Sequence, residues 1–245
     1  MNPAQIIKGI RPLTEAIVAG REIDRVFVQK GLSGILMKEL LSLLTLHNIP
    51  FQLVPVEKLN RISGSNHQGI IAYISSVIYS SLDHIITTSF QSGREPMVII
   101  LDRITDVRNF GAIARTAEGL AFDAIVIPSK GSAQINPDAM KASAGALNHI
   151  PVCRENNLVS AIRYLRESGL QIYACTEKAD QDIYRQEFKG PLALLFGSEE
   201  DGISPAMLKL SDFRVKVPMK GKIASFNVSV TVAIVGGEVM RQKGL

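Results

Sequence analysis

The chain has 245 residues, enough for one large domain or two modest ones of roughly 100–200 residues each. Apolar residues make up 46% of it and charged residues 20%, a balance that argues against disorder, collagen-like repeats and a coiled coil; apolar runs such as Met97–Leu101 fall far short of the ~20 residues of a membrane span. The net charge of +4 permits a polyanionic partner without requiring one, and it leans forward: up to residue 78 there are 8 basic and 5 acidic residues, after it 19 and 18.

The opening MNPAQIIKG lacks the apolar region of a signal peptide, so a cytoplasmic protein is expected. Periodicity predicts a helix over Pro12–Ala19, a strand over Arg25–Gln29, a helix over Ser33–Leu46, then short strands and IIAYIS at Ile70–Ser75. These make a small α/β unit over 1–78. Residues 79–95 (YSSLDHIITTSFQSGRE) are rich in Ser and Thr and read as a linker. From 96 to 245, apolar runs alternate with amphipathic stretches, the pattern of a mostly parallel sheet with helices on both faces. Cys153 and Cys175 form no C-x-x-C, and His47, His84 and His149 have no metal-ligand spacing, so buried reduced thiols and no metal are expected.

Three segments of the second part carry chemistry. In LDRITDVRNFGAIARTAEGL, a helix beginning after Asn109 puts Phe110, Ile113, Ala114, Ala117 and Leu120 on one face and Arg115 roughly opposite; Gly111 lets it sit close to the sheet. The alternative is a capped amphipathic helix with an ordinary solvated arginine. In LALLFGSEEDGIS, an apolar strand runs into a turn at its carboxyl end, where open α/β sheets hold ligands; three carboxylates disfavour a bound pyrophosphate, and no G-x-G-x-x-G or Walker loop is present. An acidic surface turn is the competing reading. In VKVPMKGKIASFNVSVTVAIVGGEVM, the apolar residues Phe226, Val228, Val230, Val232 and Ile234 alternate with Ser225, Asn227, Ser229 and Thr231, which by periodicity alone predicts a strand.

In this order the three segments resemble the motifs of the SpoU-type (TrmH-like) RNA 2′-O-ribose methyltransferases of the SPOUT superfamily. N-x-G-x-x-x-R appears as Asn109, Gly111 and Arg115, and G-x-E-x-x-G as Gly197, Glu199 and Gly202. The third motif appears as Val217, Pro218, Met219, Gly221, Ser225, Phe226, Asn227, Val228, Ser229 and Val230, with Val217 in place of Ile and Phe226 in place of Leu. The front segments GIRPLTEAI (Gly9–Ile17) and HQGIIA (His67–Ala72) are similar to the L30e-like substrate-binding domain of members that methylate a guanosine of large-subunit (23S) rRNA.

The resemblance implies an α/β fold whose C-terminal SPOUT domain ties a trefoil knot, preceded by an L30e-like domain. It turns the third motif into a turn followed by a helix, against the periodicity. It implies S-adenosyl-L-methionine as methyl donor, gripped by Leu195, Gly197, Val217, Met219, Phe226 and Asn227. Arg115 is then the catalytic arginine, stabilising charge on the ribose oxygen, with Asn109, Glu199, Ser225 and Asn227 positioning it, the loop, the donor or the target. The implied partners are RNA, rRNA before tRNA, and a second copy of the chain paired through the knotted domain. Candidate RNA contacts at the front are Arg11, Arg21, Arg25 and His67. The rival classes are a non-catalytic RNA-binding or assembly factor, which needs no such constellation, and a nucleotide-dependent oxidoreductase, which lacks its phosphate loop.

Overall fold

A computed structural model describes residues 6–64, 66–223 and 225–244; the first five residues, read above for a leader, lie outside these. By contact the chain forms two units, one ending at Ile78 and including Gln134–Asn136, the other made of the remainder.

The first unit runs β1 (Ile6–Lys8), α1 (Ile10–Val18), β2 (Ile23–Gln29), α2 (Ile35–Leu46), β3 (Phe51–Val54), α3 (Val56–Ser63) and β4 (Ile70–Ile74). Its sheet has the order β1-β4-β2-β3, with β2 and β3 parallel and the other pairs antiparallel. α1 and α2 cover one face through Leu13, Ile17, Met37, Leu40 and Leu44, against Val26, Val28, Ile70 and Ala72 of the strands. α3 covers the other through Leu59, against Phe27 and Ile71.

The second unit begins with α4 (Leu82–Gln91), which corrects the reading of 79–95 as a linker. Ser81 caps this helix by accepting from the His84 amide, and Leu82 and Ile86 are buried in the main core. The stretch looks like a connection because its outward face is Ser- and Thr-rich, while two residues at helical spacing bury it.

There follow β5 (Met97–Leu101), α5 (Val107–Gly119), β6 (Ala124–Pro128), α6 (Pro137–Ala142), β7 (Val152–Glu155), α7 (Leu158–Glu167), β8 (Gln171–Cys175), β9 (Gln181–Asp182), β10 (Leu192–Phe196), α8 (Pro205–Leu208), β11 (Phe213–Lys216) and α9 (Val228–Lys243). The seven strands pair only in parallel, in the order β7-β6-β5-β10-β8-β11-β9. Every residue of β5 and of β10 is buried, as expected of central strands covered on both faces.

α5 starts at Val107, before the expected Asn109. Asp106 caps it, its Oδ1 accepting from the amides of Arg108 and Asn109 at 2.8 Å each. With the cap supplied upstream, the side chain of Asn109 is free for other work. Gly111 faces α6 rather than the sheet: a Cβ there would collide with the side chain of Ala142.

The strand that periodicity predicts over 226–234 is the start of α9, a helix of sixteen residues. Its buried residues Val228, Val232, Val235 and Val239 follow i, i+4, i+7 and i+11, so only Val228 and Val232 of the alternating set are buried, and the helical period runs on beyond it. Packing thus overrides the β preference of the valines. The polar residues between them close the first turn: Asn227 Oδ1 accepts from the Ser229 amide at 2.9 Å, and Thr231 Oγ1 donates to the Asn227 carbonyl at 3.1 Å. α9 packs on α5, with Gly236 set against Leu120 and Phe122. The chain therefore returns from β11, beyond β8, to pack α9 on the helix that follows β5.

Candidate active site

The three motifs meet at the carboxyl ends of β5 and β10. Beyond β10 the chain folds back sharply: the amide of Gly202 donates to the carbonyl of Ser198 at 2.9 Å, and the Asp201 amide donates to Ser198 Oγ at 3.1 Å. Gly197 is pressed so closely on this return that a Cβ would collide with the backbone of Gly202 and Ile203, so no other residue fits without moving the loop.

The loop carries Glu199 to the other two motifs. Glu199 Oε1 accepts from Asn109 Nδ2 at 3.1 Å and from Asn227 Nδ2 at 2.7 Å, and Asn227 Nδ2 also donates to Asn109 Oδ1 at 3.1 Å. Asn227 Oδ1 is held by the amide of Ser229 at 2.9 Å and its hydroxyl at 2.7 Å. Residues 90 and 28 positions apart thus share one carboxylate oxygen.

Beside this network lies a cleft. Phe196, Val217, Met219, Phe226 and Val235 give it apolar walls, Gly197 and Gly202 lie along the loop, and Thr176, Glu177 and Ser225 add polar groups. Cys175 forms part of its lining; burial pushes the thiol's pKa well above its ordinary value, so it stays protonated and is no nucleophile. A second cleft lies against the same loop, lined by Arg103, Asp106, Asn109 and Val228 together with Ser198, Glu199, Glu200 and Asp201. The first four residues of the turn therefore wall both clefts.

Of the residues expected to hold a donor, Gly197, Val217, Met219 and Phe226 line the first cleft, while Asn227 lies beside it in the network. Leu195 does not: its side chain is fully buried in the core of the sheet, while the next residue, Phe196, itself buried, borders the cleft. Arg115 is exposed on α5, lines neither cleft, and has no hydrogen-bond or ion-pair partner among the described residues. Glu199 binds two asparagines rather than an arginine.

At the front, Arg11 and Arg21 are exposed and Arg25 is half-buried. His67, expected among the RNA contacts, is instead buried in a turn. It is 4% exposed, its Nδ1 accepts from the Gly69 amide at 2.9 Å, and its Nε2 lies 2.9 Å from Asn60 Oδ1. With Nδ1 an acceptor the proton is on Nε2, and the ring is a satisfied turn-forming group.

Sequence reasoning missed Asp102 and Arg103. Asp102 is 2% exposed at the end of β5 and accepts from the Ser204 amide at 2.8 Å and from Arg103. Arg103 reaches Asp102, Asp201 and the Gly202 carbonyl, and Asp102 pushes the guanidinium's pKa further up. Their partners lie about a hundred residues away, so only the Asp-Arg pair itself stood in the sequence as a signal.

Residues 96–236 match the model of the SpoU rRNA methylase family. The chain belongs to that family. It is an RNA methyltransferase of the SpoU/TrmH kind, and residues 6–80 match the model described as RNA 2′-O ribose methyltransferase substrate binding. A Staphylococcus saprophyticus protein whose name places it among TrmH family tRNA/rRNA methyltransferases is 34% identical over 97% of this chain and 96% of its own length. A Bacillus subtilis protein with the same family name, YacO, is 30% identical over 96% of this chain and 94% of its own. The crystal structure of the SpoU methyltransferase AviRb from Streptomyces viridochromogenes, in complex with the cofactor AdoMet, has a TM-score of 0.61 at 24% identity, covering 97% of this chain and 90% of that one. At that identity the likeness is one of fold.

No helix among the described residues is long and apolar enough to cross a membrane. They contain no group of three or more His, Cys, Asp or Glu placed to hold a metal ion.

Proposed function

We propose that this SpoU-family protein transfers the methyl group of S-adenosylmethionine to the ribose 2′-hydroxyl of a guanosine in large-subunit rRNA. The observation that carries the reading is the Asn109–Glu199–Asn227 network at the edge of an apolar cleft. The cleft suits such a donor: Phe196, Val217, Met219 and Phe226 offer a flat aromatic group apolar walls, and Glu177 offers a carboxylate to a cation or to sugar hydroxyls. When bound, the donor supplies an activated methyl group on a sulfonium centre.

This chain's residues then have to align a hydroxyl with that group and favour the developing alkoxide. Arg115, exposed and unpaired among the described residues, meets the ribose oxygen and an adjacent phosphate and stabilises the charge there. Arginine serves there as a cationic hydrogen-bond donor rather than as a base. The proton leaves to the phosphate or to water. Asn109 and Asn227 hold Glu199, and through it the loop that walls the cleft, while Ser225 donates to donor or target.

The first unit grips RNA away from the reacting nucleotide, with Arg11 and Arg21 as exposed cations for phosphates. The substrate-binding family model over residues 6–80 supports this division of labour. Pairing of two copies through the second unit belongs to the same reading; Ile223, Phe226 and Val230 supply exposed apolar surface at the start of α9.

The test is transfer of a tritiated methyl group to two unmodified substrates, large-subunit rRNA and total tRNA. Label in rRNA alone is the expected result. Label in tRNA alone moves the assignment to a tRNA ribose, and binding of either RNA without transfer supports an assembly factor instead.

A further inference from the structure

We propose that Arg103 is a positioning residue that locks the 198–202 loop across the two clefts, so that methyl transfer depends on a group outside the three motifs. This rests on the methyltransferase reading above.

The observation is the number and direction of its bonds. Nε donates to Asp102 Oδ1 at 3.0 Å, Nη2 donates to Asp102 Oδ2 at 3.2 Å and to the Gly202 carbonyl at 2.9 Å, and Nη1 donates to Asp201 Oδ2 at 2.9 Å. One planar guanidinium therefore ties the end of β5 to the far end of the loop, and Asp102 completes the tie by accepting from the Ser204 amide at 2.8 Å. The near part of the loop is held separately, through Glu199 and the two asparagines. Without Arg103 the far end of the loop keeps only the Asp102–Ser204 bond beyond its tip, and Asp201 and Gly202 lose their tie to the end of β5, which loosens Ser198–Asp201, the residues that wall both clefts.

The backbone supports a specific role. Arg103 sits at φ +59°, in the left-handed region that favours glycine. A side chain is held in that conformation at a cost, which the four bonds offset.

That conformation also supplies a discriminating variant. Arg103→Gly deletes the clamp and relieves the backbone at once, so folding survives while the loop loses its anchor. We expect Arg103→Gly to weaken S-adenosylmethionine binding in calorimetry by at least tenfold and to speed amide exchange at Asp201, Gly202 and Ser204, with the melting temperature within a few degrees of wild type. Asp201→Asn, which removes one arm, should weaken binding by a few-fold. Arg103→Lys, which keeps charge but not the fork, should fall between wild type and Arg103→Gly.

Wild-type affinity and unchanged exchange in Arg103→Gly would overturn the clamp and leave the functional reading standing. A lowered melting temperature with unchanged affinity would make Arg103 merely structural, also against the proposal. A folded wild-type protein that takes up no S-adenosylmethionine would overturn the functional reading, and the clamp's role in transfer with it.

Discussion

Arg115 and Gly197 show how differently two motif residues act. Arg115 is exposed and has no hydrogen-bond or ion-pair partner among the described residues, so its removal should cost the fold little and the reaction much. Arg115→Ala is expected to lower kcat on the order of 10²–10³-fold, the range for losing one charge-stabilising donor, with donor affinity within about twofold of wild type. Steady-state kinetics beside calorimetry checks this; substantial retained turnover contradicts it. Gly197 is the opposite case, a residue with no chemistry and no spare space. Gly197→Ala forces the return of the loop apart and should destabilise the protein by about 1–3 kcal/mol, with donor binding lost in parallel; denaturant unfolding and titration read both. Asn109, Glu199 and Asn227 were singled out by the resemblance to the SpoU motifs, and their joining through one carboxylate shows only in the fold. Arg103 was not legible, because its role exists only once the loop folds back on β5. Nor was the burial of His67, whose polarity suggests surface while its turn with Gly69 hides it.

At the scale of elements, α9 is where sequence and structure diverge most. Its valines satisfy both a two-residue and a helical period, and only the partner face on α5, unseen in a local window, chooses between them. α4 goes unseen for a related reason, since a short helix with only two buried apolar residues, Leu82 and Ile86, beside a buried Ser89 leaves little apolar signal. The far end of α9 is held by a buried carboxylate. Glu238 accepts from Arg241 Nε and Nη2 at 2.8 Å each and from Gln242 Nε2 at 2.7 Å, while Gln242 also bonds to Gln186 and Phe188. The Arg241 hydrogen bonds first, then that from Gln242, hold the carboxyl down to about 2 against an ordinary 4.5. Because the folded state binds this proton less readily than the unfolded one, the contribution is present in full above the unfolded value and is lost as pH falls through about 2. Glu238→Gln should therefore melt below wild type at pH 7, and the gap should close between pH 4.5 and about 2. A gap that stays constant over that range excludes the carboxylate as its source.

On the proposed function, the whole molecule divides the work between a first unit that holds RNA and a second that carries the chemistry. The alternation of apolar runs made the parallel sheet legible, and α1, β2, α2 and β4 lie within a few residues of their expected places, whereas β1 and the helix α3 were not expected. The order of the strands and the return of α9 were not legible, because parallel sheets are joined by long crossovers that leave no local trace. On this division, reversing the charges of Arg11 and Arg21 to Glu should weaken RNA binding and flatten its salt dependence by about one unit of log–log slope for each phosphate contact removed. Donor affinity should be untouched. Filter binding across a salt series decides this, and an unchanged slope would take both arginines out of the interface.

The central claim is that the methyl group goes to a ribose oxygen. It is tested most directly by loading the protein with tritiated S-adenosylmethionine, allowing a single turnover on unmodified large-subunit rRNA, and digesting the product to nucleosides. The account predicts label in 2′-O-methylguanosine. Label on a base, or none from folded protein that has bound the donor, would contradict it.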